Sequence, residues 1–152
     1  MRRDRRLALL ALAATLAGRP LRAAAPPVRV EVWKSPTCEC CNDWIRHLEA
    51  NGFRVVVYET GNTDARGWLG MPAALGSCHT ALVGGYAIEG HVPARDIQRL
   101  LAERPKALGL AVPGMPVGSP GMDGPPYGQR KDPYDVLLVQ NGGRTRVWQS
   151  YR

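Results

Sequence analysis

At 152 residues the chain is long enough for one domain with a sizeable core and too short for a second of ordinary size. Its net charge of +7 would suggest nucleic acid or an anionic membrane as a partner if it were spread evenly. It is not: residues 1–25 hold six arginines against one acid, leaving 14 basic and 12 acidic residues beyond, so no nucleic-acid partner is expected.

The opening segment accounts for its own charge. A basic stretch, Met1 to Arg6, precedes an apolar run from Leu7 to Ala17 and then the small residues Ala23-Ala24-Ala25. This order reads as a secretory signal peptide over residues 1–25. The apolar run is shorter than the roughly 20 residues that span a bilayer, so no stable membrane anchor is expected after cleavage. A single domain is then expected over residues 26–152.

The first element of that domain is a strand, because Val28 to Trp33 alternates apolar and polar positions before the breaker Ser35-Pro36. Trp44, Ile45 and Leu48 follow helical spacing up to Asn51-Gly52, and Phe53 to Tyr58 is a second β-branched strand. Together they predict a βαβ unit with parallel strands and a right-handed crossover. Residues 60–77 are polar and Gly-rich, with a short helix around Asp64 to Leu69. Thr80 to Val83 and Tyr86 to Glu89 are predicted as antiparallel strands about a Gly84-Gly85 turn, followed by a helix from Ala94 to about Glu103. That makes a ββα unit.

Val112 to Pro133 carries six prolines, five glycines and two methionines with no apolar period, and reads as a long loop. Tyr134 to Gln140 and Arg144 to Tyr151 flank Asn141-Gly142-Gly143 and predict a C-terminal β-hairpin. The four tryptophans, Trp33, Trp44, Trp68 and Trp148, are expected in core or hairpin packing. His47, beside Arg46 and Glu49, is expected at the surface.

The chemistry gathers at the cysteines. Cys38, Cys40 and Cys41 fall within four residues, and Cys38 and Cys41 form a C-x-x-C pair where a strand gives way to a helix. Backbone N–H groups at a helix start stabilise a thiolate, the form that attacks and the form that binds metal. A staple-only reading fits poorly, because clustered sulfur is a weak framework for a fold. If the strand after Cys78 runs antiparallel to Val28–Trp33, Cys78 and His79 start at the end of the sheet where the cysteine loop emerges. The next strand then returns His91 to the same end.

Such a donor set selects soft metals, and thioether sulfur would tilt the choice toward Cu(I). Met115 and Met122, in the small-residue segment Gly114 to Met122, are candidates for that role. The candidate metal ligands are therefore Cys38, Cys40, Cys41, Cys78, His79, His91, Met115 and Met122. Copper(I), singly or as a multinuclear cluster, is the expected ion. The competing reading is a thiol-disulfide oxidoreductase with Cys38 as nucleophile and Cys41 as resolving thiol. A disulfide-stapled interaction module is the third.

At four places the sequence resembles the CopG-like family of periplasmic copper-resistance proteins: Lys34 to Cys41, Ser77 to Ala81, Glu89 to Pro93, and Gly109 to Met122. The resemblance implies a thioredoxin-like fold, copper held by the cysteine motif, a periplasmic location and a role in copper tolerance that extends to copper redox chemistry. A periplasmic copper or redox partner protein is expected beside the copper ions themselves. Thioredoxin-like oxidoreductases usually place a cis-proline where this chain has Cys78-His79, an exchange that favours metal binding over general dithiol exchange. Whether the chain is an enzyme is left open by the residues.

Overall fold

The computed structural model describes residues 26–152; the expected signal peptide, residues 1–25, lies outside the described residues. Twelve elements follow in order. Strand β1 (Val28–Lys34), helix α1 (Glu39–Ala50) and strand β2 (Phe53–Tyr58) come first, then helix α2 (Thr63–Trp68) and a single 3-10 turn at Ala73–Leu75. Strands β3 (His79–Val83) and β4 (Tyr86–Glu89) lead into helix α3 (Ala94–Glu103) and strand β5 (Gly109–Ala111). A second 3-10 turn, Pro125–Tyr127, precedes strands β6 (Tyr134–Val139) and β7 (Thr145–Tyr151).

All seven strands form one mixed sheet in the order β2-β1-β3-β4-β5-β6-β7. The expected parallel β1/β2 pair and the antiparallel β3/β4 hairpin are both present. β3 runs antiparallel to β1 with Lys34 opposite His79, so the start of β3 lies beside the end of β1. One strand was not expected. β5 pairs parallel with β4 and antiparallel with β6, which makes the C-terminal hairpin a continuation of the sheet.

The larger core joins Val30, Val32, Ala81, Val83 and Ile88 of the sheet to Trp44, Ile45 and Leu48 of α1 and Ile97 and Leu100 of α3. Each valine, leucine or isoleucine among them contributes about 1.5–3 kcal/mol when fully buried. Trp44 is fully buried and its indole N–H donates to the Val92 carbonyl at 2.8 Å. It ties α1 to the segment between β4 and α3, so Trp44→Ala would cost about 3–5 kcal/mol. A smaller cluster, Met71, Ala87, Ala111 and Val139, forms separately.

Two expectations require correction. Trp68 does not pack into a core: it is 64% exposed and touches Trp33 edge-on at 5.2 Å. His47 is not a free surface residue, because its Nε2 accepts the Ala94 N–H at 3.0 Å. That N–H belongs to the first residue of α3 and has no intrahelical partner, so an imidazole on one helix caps the next.

Candidate metal centre

Strand β1 ends in the turn Ser35-Pro36-Thr37, where the Cys38 N–H donates to the Ser35 carbonyl at 3.2 Å. Helix α1 begins at Glu39, so Cys40 and Cys41 occupy its first turn with Cys38 at the cap. Their sulfurs lie at the positive end of the helix.

Cys38 and Cys41 are joined by a disulfide, whereas Cys40 and Cys78 are free thiols. The Cys40 Sγ sits 3.6 Å from Cys38 Sγ and 3.8 Å from Cys78 Sγ. The Cys41 Sγ lies 3.6 Å from the Cys78 carbonyl oxygen. All four sulfurs lie within 4.8 Å of one another. Register across the sheet, rather than nearness in sequence, brings Cys78 to this group.

A second group shares Cys78. Its Sγ is 3.4 Å from His79 Nδ1 and 3.1 Å from His91 Nε2, and these three donors also lie within 4.8 Å of one another. His91 Nδ1 faces the Pro120 carbonyl at 2.8 Å. A carbonyl can only accept, so Nδ1 carries the proton and a neutral His91 turns its Nε2 lone pair toward Cys78. That is the arrangement by which a backbone carbonyl orients a metal-binding histidine.

Burial governs the charge of the group. It lowers the pKa of His91 and drives that of His79 well below the ordinary value, so both imidazoles are neutral and able to donate a lone pair. Burial first, and then the neighbouring Cys40, push the Cys78 thiol up to about 12. A bound cation reverses that balance, since coordination deprotonates a thiol outright. His79 Nε2 is buried without a hydrogen-bond partner, an uncommon state for a buried polar atom. Soft sulfur and neutral imidazole fit a thiophilic ion such as copper(I).

The Pro/Gly-rich loop closes against this group. The Ser77 hydroxyl donates to the Gly114 carbonyl, and Pro120 meets His91. Gly121, at φ +85°, lies so near α1 that a Cβ there would stand 2.6 Å from the Cys40 carbonyl oxygen and 2.7 Å from the Trp44 nitrogen. On the same loop Met115 is 50% exposed. Met122 is buried, and its Sδ accepts the Tyr127 hydroxyl at 3.4 Å.

Two solved structures resemble the chain over most of its length. Both are of copper resistance protein CopG: form 2, at 46% identity and a TM-score of 0.76, covering 83% of this chain and 99% of that one; and form 1, at 46% identity and 0.75, covering 82% and 98%. The chain belongs to the CopG family. A family model described as "Protein of unknown function, DUF411" matches residues 75–122, the stretch that carries Cys78, His79, His91 and the loop. No curated protein matches the chain.

Several polar groups near the donors are not among the site residues expected from the sequence. Lys34 is buried, donates to the Ser35 carbonyl at 2.9 Å and to Glu59 at 3.3 Å, and stands opposite His79 in the sheet. Glu89 and Arg66 pair at 2.9 Å behind Ser77. The one signal available for Glu89 was an acid ending the otherwise uncharged strand Tyr86–Glu89, a position that demands a buried partner.

Proposed function

We propose that this CopG relative is an exported, periplasmic protein that binds Cu(I) in copper homeostasis, through Cys40 and Cys78 with His79 and His91, joined by Cys38 and Cys41 once a thiol reductant has opened their disulfide. Residues 26–152 form a single thioredoxin-like domain in this reading, and residues 1–25 direct its export. The observation that carries the reading is the convergence of four sulfurs and two neutral imidazoles at one end of the sheet. The copper-resistance name of its relatives supports the same ion. Met115 and Met122 supply thioether sulfur from the covering loop, and copper passes to or from a periplasmic copper or redox partner. Among the described residues no helix is long and apolar enough to cross a membrane.

The donor chemistry predicts Cu(I) over Zn(II), because thiolate and thioether are soft ligands. The test is a titration of reduced protein with Cu(I) against a competing chelator, beside a Zn(II) titration and metal analysis of the protein as purified. Far tighter Cu(I) binding is expected. Equal or tighter Zn(II) binding would overturn the copper reading. The Cys38–Cys41 disulfide favours a second reading, a thiol-disulfide oxidoreductase that uses this pair. Turnover of a disulfide substrate that survives Cys78→Ser and fails with Cys38→Ser would support it.

A further inference from the structure

Behind the rim that carries Cys78 lies a buried polar cluster with no apolar purpose. Glu89, fully buried at the end of β4, accepts the Ser77 N–H at 2.7 Å and the Arg66 Nε–H at 2.9 Å on one oxygen, and the Thr80 hydroxyl at 2.6 Å on the other. Arg66, from α2, uses a second N–H to donate to the Ser77 carbonyl at 2.7 Å. Asn62 donates to that same carbonyl and to the Thr80 hydroxyl oxygen, each at 3.2 Å.

The outcome is a residue fixed on both sides. The carboxylate holds the Ser77 N–H, and the guanidinium and an amide hold its C=O, which belongs to the peptide that leads into Cys78. The Ser77 side chain is enclosed as well: a Cβ on Gly90, at φ +71°, would lie 2.7 Å from the Ser77 Cβ. Gly90 directly precedes His91, so one backbone contact locks the approach to Cys78 against the approach to His91.

We infer that Arg66 and Glu89 are positioning residues for the metal centre, fixing the Ser77–Cys78 peptide so that the Cys78 sulfur stands between Cys40 and His91. The inference rests on the copper reading only for its consequence in affinity; the placement of Cys78 is a separate matter. Planarity is the property that makes arginine suit the role. Its fork reaches a carboxylate and a carbonyl at once, whereas a lysine ammonium keeps the charge and loses the fork.

Arg66→Lys is the test, because it leaves Glu89 facing a cation. Glu89→Gln tests the other half of the clamp: its amide oxygen still accepts the Ser77 N–H, but Arg66 loses its buried counter-ion and the amide N–H group meets the Thr80 hydroxyl that donated to the carboxylate. Two measurements are made on the whole protein: Cu(I) affinity by chelator competition, and the alkylation rates of Cys78 and Cys40 in metal-free protein, resolved by peptide mass. Arg66→Lys should weaken Cu(I) by about 10- to 100-fold, the usual cost of losing an outer-shell partner. It should also speed alkylation of Cys78 relative to Cys40, and Glu89→Gln should shift both readouts in the same direction. A merely structural loss would change both thiols together, so parallel acceleration of Cys40 and Cys78 overturns the assignment. Wild-type affinity and wild-type Cys78 reactivity in Arg66→Lys overturn it too. If the unaltered protein binds no Cu(I), the copper reading falls, and the alkylation ratio still decides the clamp. Should Arg66→Lys fail to fold, Asn62→Ala removes a weaker donor to the same carbonyl, and an unchanged alkylation ratio there overturns the inference.

Discussion

The two sulfur-bearing segments reach the same point by different routes. Cys38, Cys40 and Cys41 are placed by local geometry: a strand end, a Ser-Pro turn and the first turn of α1 fix them within a few residues. Cys78 and His79 are placed by register across the sheet, by the clamp on Ser77 and by the loop that meets His91. The local half depends on little beyond its own helix. The distant half depends on pairing between strands far apart in sequence.

The sharpest way to break this contrast is to remove the shared donor. Cys78→Ser should weaken Cu(I) at least as much as Cys41→Ser, and by more than the about 10- to 100-fold expected of an outer partner. Chelator competition measures both. An unchanged affinity for Cys78→Ser would leave the helix turn as a self-sufficient site and undo the comparison.

A smaller effect is expected from the loop. Met115→Leu combined with Met122→Leu removes both thioethers while keeping volume, a swap that usually costs under about 1.5 kcal/mol. Met115 is half exposed, so packing loss there is minimal. Cu(I) affinity should fall at a nearly constant melting temperature of the metal-free protein. Unaltered affinity would assign both methionines to packing and limit the donors to cysteine and histidine.

The mildest effect concerns pH. Burial lowers the His47 pKa from 6.5, and its Nε2 must be unprotonated to accept the Ala94 N–H. Because the folded value lies below the unfolded one, the stabilisation is complete above pH 6.5 and is lost as pH falls through the folded value. Melting temperatures of metal-free protein should therefore drop below pH 6.5. Glutamine at this position accepts the same N–H at any pH, so His47→Gln should make that decline shallower without abolishing it, since burial lowers His79 and His91 as well. An identical slope in the variant would remove His47 from the account.

Much of the fold was legible because its elements carry their own period. The alternation in Val28–Trp33, the helical spacing of Trp44, Ile45 and Leu48, and the Gly84-Gly85 turn each state a local preference that tertiary contacts reinforce. Strand β5 was not legible, since three residues hold no period and Gly109–Ala111 is a strand only because β4 and β6 flank it. The same division runs through the candidate site. Cysteine and histidine announce themselves by type, and antiparallel pairing was enough to bring Cys78, His79 and His91 toward the C-x-x-C turn. Arg66, Glu89 and His47 look like ordinary polar residues, and only their partners, distant in sequence, give them a role. The path of the Pro/Gly segment had no pattern to reveal it.

Gly121 carries a consequence for time rather than for affinity. Its backbone rests on the Cys40 carbonyl and the Trp44 nitrogen with no room for a side chain, and the adjoining Pro120 carbonyl holds His91. An ion seated among these donors would share its enclosure with the loop, so its departure would wait on a local opening of residues 114–122 as well as on the breaking of metal bonds. Residence time would then depend on the loop as a whole, and affinity on the ligands it carries together with those of the helix and the sheet. A partner protein that pried the loop away would empty the site faster while leaving the cysteine and histidine ligands in place, taking only the loop's Met115 and Met122 with it.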